Sequence, residues 1–326
     1  MTRRFALSLA SFGAIGLVGA GAARGQLVIG TGDRTEPGYV VNLGTLRSTN
    51  QYPVTVNIAD AAPLPFGASV WGLTAHDPAR ELYFIDVSPL SVGADPTTNL
   101  FRMSYDAPGT RQLVGTIRHR TTGFDLTMQG LAFDTSAGKL YGSHTIGGTP
   151  GEGFYELDIA NPVIIGGVPR INADLRFEID AGAANEFNFA NLDYDPVTNK
   201  VYGIDDDADG GGGRALYHVD IANQQLNPVV NTPTHRRNEF DFDGLATGAG
   251  KAYFVTDEPG FVYIYDLVNG GPYVDFLSPV QGENGLFAGA AYAPGLIPEP
   301  GSSSLVGAIG SVWSLSRRRS GAPGQM

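Results

Sequence analysis

The chain has 326 residues, with 33 acidic against 21 basic side chains, 45 Gly, 21 Pro and no Cys. Without cysteine there is no disulfide framework, no thiol nucleophile and no Cys-ligated zinc. Glycine and proline together make up about a fifth of the chain without a three-residue period, which excludes collagen, and 42% hydrophobic residues favour one large, turn-rich β domain over a disordered chain.

Met1-Thr2-Arg3-Arg4 precedes an apolar run over residues 5–20 and the small-residue stretch Gly21-Ala22-Ala23-Arg24-Gly25. A basic start, a short apolar core and small residues around a cut form a secretory signal peptide, with cleavage expected after Ala22 or Gly25. A membrane anchor needs a longer apolar run and different flanks. Residues 1–25 are therefore read as the signal peptide, 26–296 as the folded body and 297–326 as a separate tail.

The body repeats itself. Segments 71–78, 129–134, 190–196 and 243–246 each combine an apolar stretch, a Gly or Asn and, in most, an Asp-Pro-like turn, and each is followed by a second strand ending near Tyr83, Tyr141, Tyr202 or Tyr253. A partial fifth copy lies at 288–294. The markers Gly72, Gly130, Asn191, Gly244 and Gly289 are 58, 61, 53 and 45 residues apart, a spacing that fits propeller blades of four strands. Asp77-Pro78-Ala79-Arg80 and Asp195-Pro196-Val197-Thr198-Asn199-Lys200 are β-turn chemistry between apolar runs. A third strand recurs at 154–158, 216–220 and 262–266 with apolar and polar residues alternating, as a half-buried strand requires. Fourth strands are expected at 113–117, 175–179 and 273–277.

Residues 27–59 hold three strand-like pieces, at 27–29, 39–43 and 54–58, but no first-strand motif, whereas 286–293 is a first strand alone. Joined, they make one blade, and pairing the two termini removes the open edges of the ring. The expectation is an all-β fold, a β-propeller of five four-stranded blades closed by pairing of the N- and C-terminal strands. A β-sandwich or a solenoid of similar repeats is the alternative.

First strands should start on the face that carries the loops between second and third strands. Glu186, Glu239 and Glu283 precede first strands in three repeats, which puts them near the mouth of the central channel, and the loop Asp205-Asp206-Asp207-Ala208-Asp209-Gly210 shares that face. Hard carboxylate oxygens suit Ca2+, and Asp205, Asp207 and Asp209 alternate like the start of an EF-hand loop. The twelfth position is Leu216 rather than a bidentate Glu, so the choice is between a non-EF calcium loop and a solvated, glycine-rich turn. The three glutamates also imitate the channel-mouth carboxylates of five-bladed glycosidases, where an acid of raised pKa and an ionised partner divide the chemistry. Repetition alone would place them equally well.

The five histidines, at 76, 119, 144, 218 and 235, show no metal-ligating spacing. His144 ends a second strand where other repeats carry Asp86 and Asp205, a position that lines the loop face. His218 lies mid-strand. Residues 210–213 lack the Lys-Ser/Thr of a phosphate loop, and no Gly-x-Ser-x-Gly elbow exists. Trp71 and the repeated tyrosines read as core, and Phe187, Phe189, Phe240 and Phe242 as packing between blades.

The tail begins Pro298-Glu299-Pro300, continues through Gly301-Ser302-Ser303-Ser304 and an apolar segment over 305–315, and reaches the cluster Arg317-Arg318-Arg319. In the order and position of these parts the chain resembles the PEP-CTERM proteins of Gram-negative bacteria. The resemblance covers the tail only. It implies a sorting tag that an exosortase-type transpeptidase recognises and cuts, transient membrane contact through the tail, and a destination at the cell surface or in the extracellular matrix.

Without the two ends, residues 26–316 carry 33 acids and 15 bases, a net charge of −18. That argues against a nucleic-acid partner and is compatible with cations or with neutral polysaccharide. The sequence leads to a secreted, surface-sorted, non-catalytic propeller that binds or scaffolds extracellular matrix or exopolysaccharide. The alternative is a carbohydrate-active or calcium-dependent hydrolase using the channel-mouth carboxylates; a spacer without ligand is the third reading.

Overall fold

The structure, a computed structural model, describes residues 26–32, 35, 37–43, 47–48, 61–87, 98–144, 151–179, 189–205, 215–229, 244–256, 261–270, 274–277 and 287–296. Both ends of the chain and the strand expected at 54–58 lie outside them. The described residues form β1 (Gln26–Thr31), β2 (Gly38–Asn42), β3 (Arg47–Ser48), β4 (Ala61–Leu64), β5 (Val70–His76), β6 (Glu81–Val87), β7 (Thr98–Ser104), β8 (Arg111–His119), β9 (Gly130–Asp134), β10 (Lys139–His144) and β11 (Gly153–Ile165). They continue with β12 (Val168–Glu178), β13 (Phe189–Asp195), β14 (Lys200–Asp205), β15 (Ala215–Asp220), β16 (Gln225–Val229), β17 (Gly244–Gly248), β18 (Lys251–Val255), β19 (Phe261–Asp266), β20 (Val274–Leu277) and β21 (Phe287–Tyr292). No α-helix occurs among the described residues; a 3-10 turn spans Asp77–Ala79.

The fold is all-β and propeller-like. The strands pair in the orders β21-β1-β2-β4, β5-β6-β7-β8-β12-β11-β10-β9, β13-β14-β15-β16 and β17-β18-β19-β20-β3. The eight-stranded sheet is two antiparallel meanders joined at their outer strands, where β8 and β12 run parallel over 116–119 and 170–173. In the sheet built from both termini, Leu27 lies opposite Tyr292 and Ile29 opposite Ala290. Its outermost strand is β4, where Pro63 is tolerated because one row of N–H groups needs no partner.

Burial sorts the strands. First strands such as β17 and β21 are buried almost throughout, whereas the outer strand β16 is largely exposed. The first strands pack side by side in the order β21, β5, β9, β13, β17 and back to β21, and β13 also meets β5 across the middle. This convergence explains the repeated glycine. A Cβ on Gly72 would sit 2.7 Å from the Gln129 carbonyl oxygen, on Gly130 2.7 Å from the Leu192 nitrogen, on Gly244 2.6 Å from the Ala288 oxygen and on Gly289 2.7 Å from the Trp71 oxygen. Each obstacle is main chain at the next first strand, which cannot rotate aside. The fifth marker, Asn191, instead reaches across and donates from Nδ2 to the Trp71 carbonyl at 3.2 Å.

Apolar clusters fill the spaces between successive meanders, for example Phe66, Leu73, Phe84 and Met103 between the terminal sheet and β5–β8. The second-strand tyrosines Tyr83, Tyr141, Tyr202 and Tyr253 are buried core residues. Phe189 packs edge-on against Phe154, ring centroids 5.1 Å apart, across the boundary between β9–β12 and β13–β16.

Candidate functional site

First strands end and second strands begin on one face, hereafter the turn face. Asp77 opens its 3-10 turn with Pro78 at the first positions and Arg80 left-handed at φ 56°. In the β13–β14 turn Asp195 Oδ2 accepts the Thr198 N–H at 2.8 Å, and Asn199, a residue that tolerates the left-handed region, closes it at φ 56°. These turns hold a cavity of about 380 Å³ over the end of the ring of first strands. Asp77, Asp193, Thr247 and Tyr292 line it among the apolar side chains of Pro78, Pro196, Val197 and Pro294.

Asp193 is 4% exposed. Its Oδ1 accepts the Thr74 hydroxyl at 2.9 Å and its Oδ2 the Thr247 N–H at 2.6 Å. Thr74 Oγ1 in turn accepts the Phe133 N–H at 3.1 Å. One carboxyl group therefore ties β5, β9, β13 and β17 together at the axis. Burial drives its pKa well above the ordinary carboxylate value, overriding the lowering by its donors, and so favours the protonated form.

Asp77 sits at the rim. Burial pushes its pKa up to about 6, against the lowering effects of the Tyr105 hydroxyl, which donates to Oδ1 at 2.6 Å, and of Arg80. The Tyr292 ring stacks on Tyr253 with centroids 5.7 Å apart and planes 4° from parallel. Gly248 makes room for it, since a Cβ there would collide with the Tyr292 ring. The buried Thr247 hydroxyl has no hydrogen-bond partner among the described residues. Apolar walls, an aromatic side chain, a carboxyl that titrates near neutrality and an unpartnered hydroxyl together can hold a small hydroxylated ligand with an apolar face.

Glu186, Glu239, Glu283, Asp207, Asp209, Pro298, Glu299, Pro300 and Arg317-Arg318-Arg319 lie outside the described residues. Asp205 ends β14 at the opposite end of the strands from the cavity, is 4% exposed, and pairs in register with Phe189 and Ala215. No three His, Asp or Glu side chains among the described residues are grouped to hold a metal. His144 does not line a loop surface: it is buried, its Nδ1 donates to the Thr127 carbonyl at 2.6 Å, and burial lowers its pKa. At the equivalent end of β6, Asp86 accepts the Ser69 N–H at 3.2 Å. Both side chains lock a second strand to the segment entering the first.

Two features escaped the sequence reading. Two residues beyond each marker stand Thr74, Ala132, Asp193, Ala246 and Ala291. Three copies carry Ala, and the two that depart from it bond to each other; that departure is the available signal. The third strands share an Asp-x-x-Asn turn, Asp220 with Asn223 and Asp266 with Asn269 at the ends of β15 and β19, and Asp158 with Asn161 at a register shift within β11. In each, the Asp accepts both the Asn N–H and its Nδ2.

No family model matches the chain, and no curated protein matches it. Solved structures similar to it include a chain of a nidogen/laminin complex, at 12% identity over 82% of this chain and 98% of that one, with a TM-score of 0.48. The periplasmic gluconolactonase PpgL of Pseudomonas aeruginosa is 13% identical over 80% of this chain and 69% of its own, TM-score 0.39. A gluconolactonase of Xanthomonas campestris is 16% identical over 78% and 68%, TM-score 0.37. None of the three lends a ligand or a reaction to this chain.

Proposed function

We propose that the chain is a five-bladed β-propeller, exported and sorted to the bacterial cell surface through its Pro298-Glu299-Pro300 tail, which binds polysaccharide there without catalysis. Support for the blade count comes from five first strands that neighbour one another in closed order. Support for export and sorting comes from the sequences of the two ends, whose partner is an exosortase-type enzyme. The binding reading is carried by the axial cavity, where Tyr292 and the prolines offer an apolar surface and Asp77 a hydrogen-bonding carboxyl. That combination suits a pyranose ring with one apolar face and polar edges.

Calorimetric titration of the full chain with maltotriose, cellotriose and xylotriose tests it. At least one should bind, and Val197→Trp, which fills the cavity from a side chain 60% exposed, should abolish the heat while leaving the melting temperature in place. No uptake of any of the three, or uptake unchanged in Val197→Trp, refutes the axial site. One observation favours a hydrolase instead: a carboxyl titrating near 6 at the rim has the property of a general acid. Reducing ends released from the same sugars, and lost in Asp77→Asn with the fold retained, would decide for it.

A further inference from the structure

We infer that the groove between the β9–β12 and β13–β16 meanders is a second binding site, built for the carboxylate of an acidic sugar unit. The groove opens on the turn face with a volume of about 400 Å³, within the range of small-ligand pockets. Its wall on one side carries Lys139, Glu156 and Arg176, and on the other Lys200, His218 and Asp220. It shares none of these residues with the axial cavity, so the inference goes beyond the reading above.

The donors of the first wall are not all used. Lys139 Nζ and Arg176 Nε both donate to a single oxygen, Glu156 Oε2, at 2.9 and 3.0 Å. Asp134 adds a second carboxylate to that wall, so its formal charge is balanced, while its guanidinium and ammonium keep unused donors. Lys200 stands across the groove on the wall that also carries Asp220, and its side chain makes no hydrogen bond or ion pair among the described residues. The groove's other two carboxylates are engaged in their own turns. Asp134 Oδ1 accepts from the Ser136 N–H and hydroxyl and from the Ala137 N–H at 2.7–3.0 Å. Asp220 accepts from the Asn223 N–H and Nδ2 at 3.0 and 2.8 Å. A ligand entering the groove therefore meets free donors of positive charge on both walls, in a chain whose formal net charge is −12.

The rest of the lining selects the body of the ligand. His218 is half-buried, and burial and Lys200 both lower its pKa, so a neutral imidazole faces the groove with one N–H and one lone pair. Tyr141, Val201 and Val219 are buried and give the groove an apolar floor. Cations for a carboxylate, a neutral donor and acceptor for hydroxyls, and an apolar floor for a ring face together describe a hexuronate. A neutral sugar would leave the Lys200 ammonium without a counter-charge.

The probe is trigalacturonate, titrated into the full chain separately from maltotriose, so that failure of the axial site and failure of this one are read independently. Trigalacturonate should bind, and more weakly as salt rises, because the attraction is local and screened. Lys200→Gln should weaken it roughly tenfold, the loss of one charge-assisted hydrogen bond, and Lys200→Glu should abolish it. Lys200 is exposed at the start of β14, so both variants retain the fold. Lys251→Gln, which removes the same charge from β18, should leave the affinity unchanged. Absence of binding at millimolar trigalacturonate overturns the site, as does binding that survives Lys200→Glu or falls equally in Lys251→Gln.

Discussion

The axial cavity and the groove beside it open on the same face and are built from the same kind of turn, yet they treat charge in opposite ways. At the axis Asp193 is surrounded by first strands so close that side chains larger than hydrogen are excluded at four of the five markers. The group borders the cavity, yet its burial raises its pKa and so favours the neutral form. In the groove, Glu156 keeps 21% of its side chain exposed and pairs with two cations. Strands that converge make a buried staple at the cavity floor, and strands that have diverged leave a charged, more exposed surface.

The sharpest way to break this contrast is to push the first strands apart. Gly130→Ala places a Cβ 2.7 Å from the Leu192 nitrogen and 2.9 Å from the Asn191 carbonyl carbon. Unfolding by urea should show a loss of about 3 kcal/mol or more, at the upper end of overpacking costs; a variant as stable as the parent would mean that the strands do not converge as described. Next comes the staple itself. Asp193→Ala strands the Thr247 N–H and the Thr74 hydroxyl in a buried site and should cost about 2–4 kcal/mol. Asp193→Asn, which keeps one acceptor and resembles the protonated acid, should cost less than half as much. Equal losses in the two variants would argue that the carboxyl is ionised.

A smaller, pH-dependent effect belongs to Asp77. Its folded pKa of about 6 lies above the ordinary 3.8, so its protonation favours the fold fully below 3.8, and that contribution fades as pH rises through about 6. The whole effect is at most about 3 kcal/mol. Asp77→Asn should therefore gain stability relative to the parent between about pH 4 and pH 7, measured as the difference in melting temperature. A variant that loses ground over that interval contradicts the burial of Asp77. Smallest of all, Glu156→Gln should cost less than about 1 kcal/mol, because exposed ion pairs are worth little. It should strengthen trigalacturonate binding by freeing both cations of the wall.

Much of the frame was readable in the residues. The markers, the Asp-Pro turns and the lone first strand near the C-terminus each encode a local requirement, and the pairing of β1 with β21 follows from having strands at one end and their missing neighbour at the other. The meaning of the marker was not readable, because the obstacle that demands glycine belongs to a strand some fifty residues away. Asp193, inside Asn191-Leu192-Asp193-Tyr194-Asp195, looks like one more solvated acid until tertiary packing removes the water. The axial cavity was not readable for a related reason. It is walled by prolines and Tyr292, whose signal lies in shape. The parallel contact between β8 and β12 joins two meander edges that no local pattern relates.

The N-terminal segment does more than complete its own sheet. Through β1 it pairs with the last strand of the chain, and through β3 it adds a strand to β20, with Ser48 opposite Phe276 and Leu277 opposite Arg47. Synthesis delivers these partners in the reverse of the order in which they are needed: β1 and β3 emerge first and wait through the making of some two hundred residues for β20 and β21. During that interval they are unpaired edges of the kind that invite pairing with a neighbouring chain. A message truncated before β20 would thus yield a product whose hazard is concentrated at its beginning, and a short peptide of the β21 sequence, Phe287–Tyr292, should compete for the same edge while the ring is still open.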